Sequence, residues 1–228
     1  MRLFREGIGI DQEDFDFQEY LQTLGFERPA PQAVANPSSQ PFNWEELEKL
    51  ASSCQKCSLG QSRKRVVWGQ GSRRPRVVFV GDFPGPDDES TGRAFGGPAG
   101  DLLTRMIQAM GLNSEDTFVM LAVQCRAPED RTPTELERST CGENFLREKL
   151  KILAPEFVIA LGSGAALSLL GDSSPPRGQL ATPSWGPTLQ VMPTFHPAYL
   201  LKNPEAKKAA WSDLQIVMKQ LSSSLGLT

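Results

Sequence analysis

In RVVFVGD, residues 76–82, apolar side chains follow one another without a polar break, and the pattern returns in DTFVMLAVQC (116–125) and EFVIALG (156–162) and, shortened to Val191–Pro193, in TLQVMPTF (188–195). Short unbroken runs of this kind predict strands buried on both faces. Between them the apolar spacing lengthens to three and four residues, in AGDLLTRMIQAMGL (99–112), TPTELERSTCGENFLREKLKIL (132–153), SGAALSLLG (163–171) and KNPEAKKAAWSDLQIVMKQLSSSL (202–225). Those segments predict helices. NWEELEKLASSC, from residue 43, predicts a further helix capped by Asn43, and Thr132 with Pro133 in the first turn marks the start of the long central one. Strands alternating with helices predict an α/β fold: a three-layer sandwich around a central, mostly parallel four-stranded sheet.

The pattern changes before residue 43. DFDFQEYLQTLGF places Phe17, Tyr20, Leu21 and Leu24 at helical spacing, and ERPAPQAVANPSSQPF reads as a linker. The chain is therefore expected to divide into an acidic extension with a Pro/Ser-rich linker, 1–42, and an α/β domain, 43–228. Seven acids against three arginines leave the extension at -4, so a total of -3 leaves the domain at +1. Its positive charge gathers in RKR (63–65) and RRPR (73–76), which read either as solvated loop arginines or as a phosphate-binding surface. No apolar run reaches membrane-spanning length, and the start lacks the pattern of a secretion signal, so the expected compartment is the cytoplasm. There, four cysteines suggest metal before disulfides.

In parallel sheets ligands bind outside the carboxyl ends of the strands. The loops GDFPG (81–85), QCRAPEDR (124–131), GSGAA (162–166) and HPAYLL (196–201) all follow predicted strands, so they converge on one rim. His196, the single histidine of the chain, lies there beside a proline. A lone histidine can be a core residue bonded to backbone, but the rim position favours a functional one. Cys54 and Cys57 form a C-x2-C pair, followed at longer intervals by Cys125 and Cys141. Four thiolates suit tetrahedral zinc or an iron-sulfur cluster, and the spacing leaves both open.

Taken in order, CQKCSLGQSRKRVVWGQG, VVFVGDFPGPDDESTGRAFGGPAGDLL, VQCRAPEDRTPTELERSTC, VIALGSGAA and VMPTFHPAYLL resemble the iron-sulfur, family 4 branch of the uracil-DNA glycosylases. The resemblance implies a 4Fe-4S cluster on Cys54, Cys57, Cys125 and Cys141, DNA as the partner, no membrane, and a monomer. It implies base excision repair: hydrolysis of the N-glycosidic bond of uracil, or a related deaminated base, flipped out of DNA. His196 is then the donor to the uracil O2, with Asp82, Asp88 and Glu89 as candidates for positioning water or the sugar. Gly81, Phe83, Phe95 and Leu121 line the base, Phe95 as its stacking face. Ser163, Arg126, Tyr199 and Leu200 are expected on the DNA, joined by Arg63, Arg65 and Leu201. For each of these a bland role stands beside the functional one: packing for Phe95, Leu200 and Leu201, solvation for the acids.

Two departures from the family pattern bear on activity. GDFPG replaces G-E-A-P-G, shortening the acid to Asp82 and adding the bulk of Phe83. MLAVQC replaces T-N-V-V-K-C, so the apolar Leu121 stands where an asparagine reads the base. The alternative expectation is accordingly a DNA-binding protein that retains the fold and cluster without the chemistry. A third is a cluster-containing module acting on another substrate, with the acidic extension recruiting a protein partner.

Overall fold

The computed structural model describes residues 42–171 and 177–224; the helical pattern around Phe17–Leu24 and its linker lie outside the described residues. Five strands, β1 (Gln70–Gly71), β2 (Val77–Gly81), β3 (Thr117–Leu121), β4 (Phe157–Leu161) and β5 (Gln190–Thr194), form one sheet in the order β1-β3-β2-β4-β5. β2 to β5 are parallel, as the buried apolar runs require. The fifth strand is β1, antiparallel to β3, with Gln70 opposite Val119. A two-residue strand made of one glutamine and one glycine carries no apolar run, which is why the sequence pattern predicts four strands rather than five.

Nine α-helices are described: α1 (Trp44–Ser52), α2 (Leu59–Ser62), α3 (Pro86–Thr91), α4 (Gly97–Ala109), α5 (Glu135–Cys141), α6 (Arg147–Leu153), α7 (Ser163–Leu170), α8 (Pro197–Lys202) and α9 (Lys207–Ser224). Alternate strand residues feed opposite layers. Val78, Val80, Val158 and Ala160 pack with Leu47 of α1, Leu150 of α6 and Leu169 of α7. Val77, Phe79, Ile159 and Leu161 pack with Leu103 of α4 and Leu214 and Val217 of α9. These are the three layers expected from two-sided burial.

Three helix predictions are corrected. The central helix is capped by Thr134 rather than Thr132: Thr134 Oγ1 accepts from the Glu137 N–H and Glu137 Oε2 from the Thr134 N–H, at 3.3 and 2.7 Å. A π-helical segment, Gly142–Leu146, separates α5 from α6. The last predicted helix begins only at Lys207, after a 3-10 turn at Pro204–Ala206 where proline breaks the ladder.

The chain passes from β2 to β3 on one side, then crosses β2 to reach β4 on the other. The loops after β2 and β4 leave the carboxyl edge on either side of that switch point, where parallel sheets bind their ligands.

Candidate active site

Asp82 leaves the end of β2 and turns toward the start of α7, where its Oδ1 accepts a hydrogen bond from the Ala165 N–H. Glycine makes this approach possible. A Cβ on Gly164 would lie 2.9 Å from the Asp82 carboxyl carbon, and one on Gly162 would lie 3.1 Å from Asp82 Oδ2 and 3.2 Å from the His196 Cβ. Gly162 also holds φ +98°, a conformation that disfavours side chains. Asp82 and His196 therefore meet across Gly162. Burial pushes Asp82 up to about 6, against the opposing pulls of the Ala165 N–H and the Arg138 cation.

His196 caps α8, its Nδ1 accepting from the Ala198 N–H at 3.2 Å. That bond leaves the proton on Nε2. Burial lowers the imidazole to about 4, so the ring is neutral at physiological pH. Phe95 stacks on it, with centroids 5.3 Å apart and planes 22° from parallel. Gly81 and Leu121 complete this wall: a Cβ on Gly81 would lie 2.4 Å from Phe95 Cζ and 2.8 Å from Leu121 Cδ2. The structure thus gathers Gly81, Asp82, Phe95, Leu121 and His196.

Phe95 has φ +59°, a strained value for an aromatic residue. Its turn is clamped on both sides. The Gln70 amide donates to Ala94 O at 2.8 Å and accepts from the Ala94 N–H at 3.0 Å. Asp88 accepts from the N–H groups of Gly85 and Gly96, so both carboxylate oxygens are committed to backbone. Burial raises Asp88, and those same N–H groups oppose the rise. Asp88 is thus placed as a clamp rather than toward a water or sugar. Gln70 is not among the residues the sequence singles out; its signal is a lone amide between two glycines in WGQG.

Other predicted residues separate from this group. Phe83 packs against the layer containing α1 and α7, away from the cluster of Phe95 and Leu121. Glu89 is buried, accepting from the Lys64 N–H and Arg126, and Arg126 is further paired with Asp130 at 2.7 Å. These three charges brace one another. Leu200 is 1% exposed and packs on Leu102 and Ala210, so its expected contact with DNA gives way to a place in the core. Tyr199, stacked on Phe195, and Leu201 are the exposed residues of that segment. Ser163 is exposed at the first turn of α7, and Arg65 is exposed with its stem against Gly92.

Cys54, Cys57, Cys125 and Cys141 line a single cavity with Leu59, Gly60 and Arg63. All four are free thiols. Arg63, predicted on phosphate, instead donates to Cys54 O at 2.7 Å, Ser52 O at 2.8 Å and the Cys125 Sγ at 3.7 Å. Burial pushes Cys125 up to about 11 and Cys141 up to about 12, and a bound cation would draw their protons off. Among the described residues, no three His, Cys, Asp or Glu side chains close on one ion. Four thiols lining one cavity are a donor set that suits tetrahedral zinc or an iron-sulfur cluster.

The profile of the Uracil DNA glycosylase superfamily matches residues 68–215. The chain is 40% identical to the type-4 uracil-DNA glycosylase of Thermotoga maritima over 171 residues, 71% of this chain and 87% of that protein. It is 35% identical to the type-4 enzyme of Saccharolobus solfataricus, covering 75% and 82% of the two chains, and 31% identical to that of Archaeoglobus fulgidus, covering 75% and 89%. Among solved structures, Pedobacter heparinus SMUG2 aligns with a TM-score of 0.42 at 13% identity, over 67% of this chain and 77% of that one. The chain belongs to the uracil-DNA glycosylase superfamily, in its type-4 branch.

Proposed function

We propose that the protein excises uracil, or a related deaminated base, from DNA by hydrolysing the N-glycosidic bond of the flipped-out nucleotide. The observation that carries this reading is the meeting of Asp82 and His196 across Gly162, with Phe95 stacked beside them. Breaking the bond leaves negative charge on the departing base and an oxocarbenium-like sugar. The neutral His196 offers its Nε2–H to the base oxygen, a bond that strengthens as that charge develops. Asp82, ionised above about 6, orients the attacking water and stabilises the cationic sugar. Phe95 supplies the apolar face, held in place by Gln70 and Asp88. Leu121 offers the base edge no hydrogen bond, so recognition there falls to backbone groups and to shape.

The four cysteines are assigned to a 4Fe-4S cluster. Bound there, the cluster supplies a covalent crosslink between the α1–α2 segment, the loop after β3 and α5. Free thiols and this cofactor suit the cytoplasm, DNA is the partner, and one chain supplies every group of the site. The acidic extension is left for a protein partner.

The test is single-turnover excision from a uracil-containing oligonucleotide, read as strand cleavage at the abasic product, using protein of measured iron and sulfide content. Product that is lost in His196→Ala and Asp82→Asn is expected. No product from the iron-loaded protein would overturn the assignment and favour binding without chemistry.

A further inference from the structure

Arg138 and Arg147 face a second cleft, about 450 Å³ in volume, between α5, α6 and α7. Ser139, Ser168 and Trp185 line it, with Glu135 at its exposed edge. Arg76, Arg126, Arg131 and Arg177 each hold a carboxylate. Among the described residues, no carboxylate pairs with Arg138 or Arg147. Arg138 donates to Pro133 O at 2.8 Å, while the Arg147 guanidinium lies 5.5 Å from the Trp185 ring centroid and its Nε is buried without an acceptor. Trp185 is itself fixed, its Nε1–H donating to Leu169 O at 2.8 Å. A pre-oriented guanidinium with a buried, unused donor calls for an acceptor-rich anion, and the planar fork of arginine suits phosphate.

The cleft starts beside the catalytic rim. The charge of Arg138 acts on Asp82. Ala165, whose N–H holds Asp82, precedes the cleft-lining Leu167–Leu170 on α7 by about 3–8 Å of helix axis. The near end of the cleft thus lies a short helical segment from Asp82. We propose that the cleft binds a backbone phosphate of the DNA strand flanking the extruded nucleotide, a contact separate from the base pocket. This rests on the reading of DNA as substrate.

The test is fluorescence anisotropy with uracil-free single strands of increasing length, across a range of salt, for the full wild-type chain, Arg147→Gln and Arg147→Lys. Wild type is expected to gain affinity once the strand is long enough to reach from base pocket to cleft. Arg147→Gln should lose that gain and reduce the slope of log affinity against log salt by about 0.7, the share of one phosphate on a single strand. Arg147→Lys should keep the slope, because an ammonium still neutralises the phosphate. Identical slopes and length dependence in wild type and Arg147→Gln overturn the inference. So does quenching of Trp185 by inorganic phosphate that Arg147→Gln abolishes while the length dependence persists, because the cleft then serves a free anion. Excision of uracil by the wild type is scored separately: its absence overturns the proposed function, while the binding comparison still decides the cleft.

Discussion

Asp82 and His196 are two ionisable groups that burial drives in opposite senses, and at neutral pH the first stays ionised while the second is neutral. Excision should fall tenfold per unit of pH below about 6, where Asp82 takes up its proton. Arg138→Gln removes a cation that favours the carboxylate, so the acidic limb should move to higher pH; a pH–rate profile of both proteins checks it. The stability effect has a definite sign. Because the folded carboxyl titrates above its unfolded value, the folded protein holds the extra proton between about 4 and about 6, and stability falls as pH rises through that window. Asp82→Asn is therefore expected to be inactive yet more stable at pH 8, by about 1–3 kcal/mol in urea unfolding. The single histidine permits a second measurement: the ¹⁵N signals of His196 should report a neutral Nε2–H ring with no titration between pH 5 and 8. Such protonation states were beyond sequence reading, which located both residues but not the burial that sets them.

At the scale of elements, the turn carrying Phe95 and helix α6 each show a polar group acting at a distance. Gln70 on the edge strand holds both backbone groups of Ala94, next to the strained Phe95. Gln70→Ala frees that turn, and the expected result is a KM raised about tenfold with the fold intact, checked by steady-state kinetics and thermal melting. On α6, Lys149 is wholly buried, donating to Trp68 O and Gln124 Oε1, both at 2.8 Å, with its Nζ 4.3 Å from the Trp68 ring centroid, and burial lowers it to about 7. Gln124 in turn donates to Leu121 O at 2.8 Å, so the helix braces the segment joining the base pocket to Cys125. Lys149→Met strands two buried acceptors and should destabilise the protein by about 2–4 kcal/mol, read from denaturant unfolding. The helical period of 132–153 predicted α6 itself. It did not predict a buried lysine, because the reach from helix to the segment before β1 spans 81 residues of sequence to Trp68.

At the scale of the molecule, four cysteines from three separate segments face one cavity, and holding them together is a tertiary constraint that local helices and strands do not replace. Cys54→Ser should lower iron content and remove about 3 kcal/mol of stability, a fall in Tm of about 6–12 °C by calorimetry. Much of this architecture was written in the chain. Apolar runs pointed to the four parallel strands and their two-sided cover, and the loop order placed Asp82 and His196 at one edge, because strand burial and the position of strand ends are local properties of sequence, whereas Phe95 was legible only through the family resemblance. The tertiary structure decided the rest. It moved Leu200 into the core, committed Arg63 to the thiol cavity and Asp88 to a backbone clamp, and turned Phe83 from Phe95, since each outcome depends on which partner lies within hydrogen-bond or contact reach. It also set the charge states of Asp82 and His196 through desolvation, a consequence of how the loops after β2, β4 and β5 close over one another.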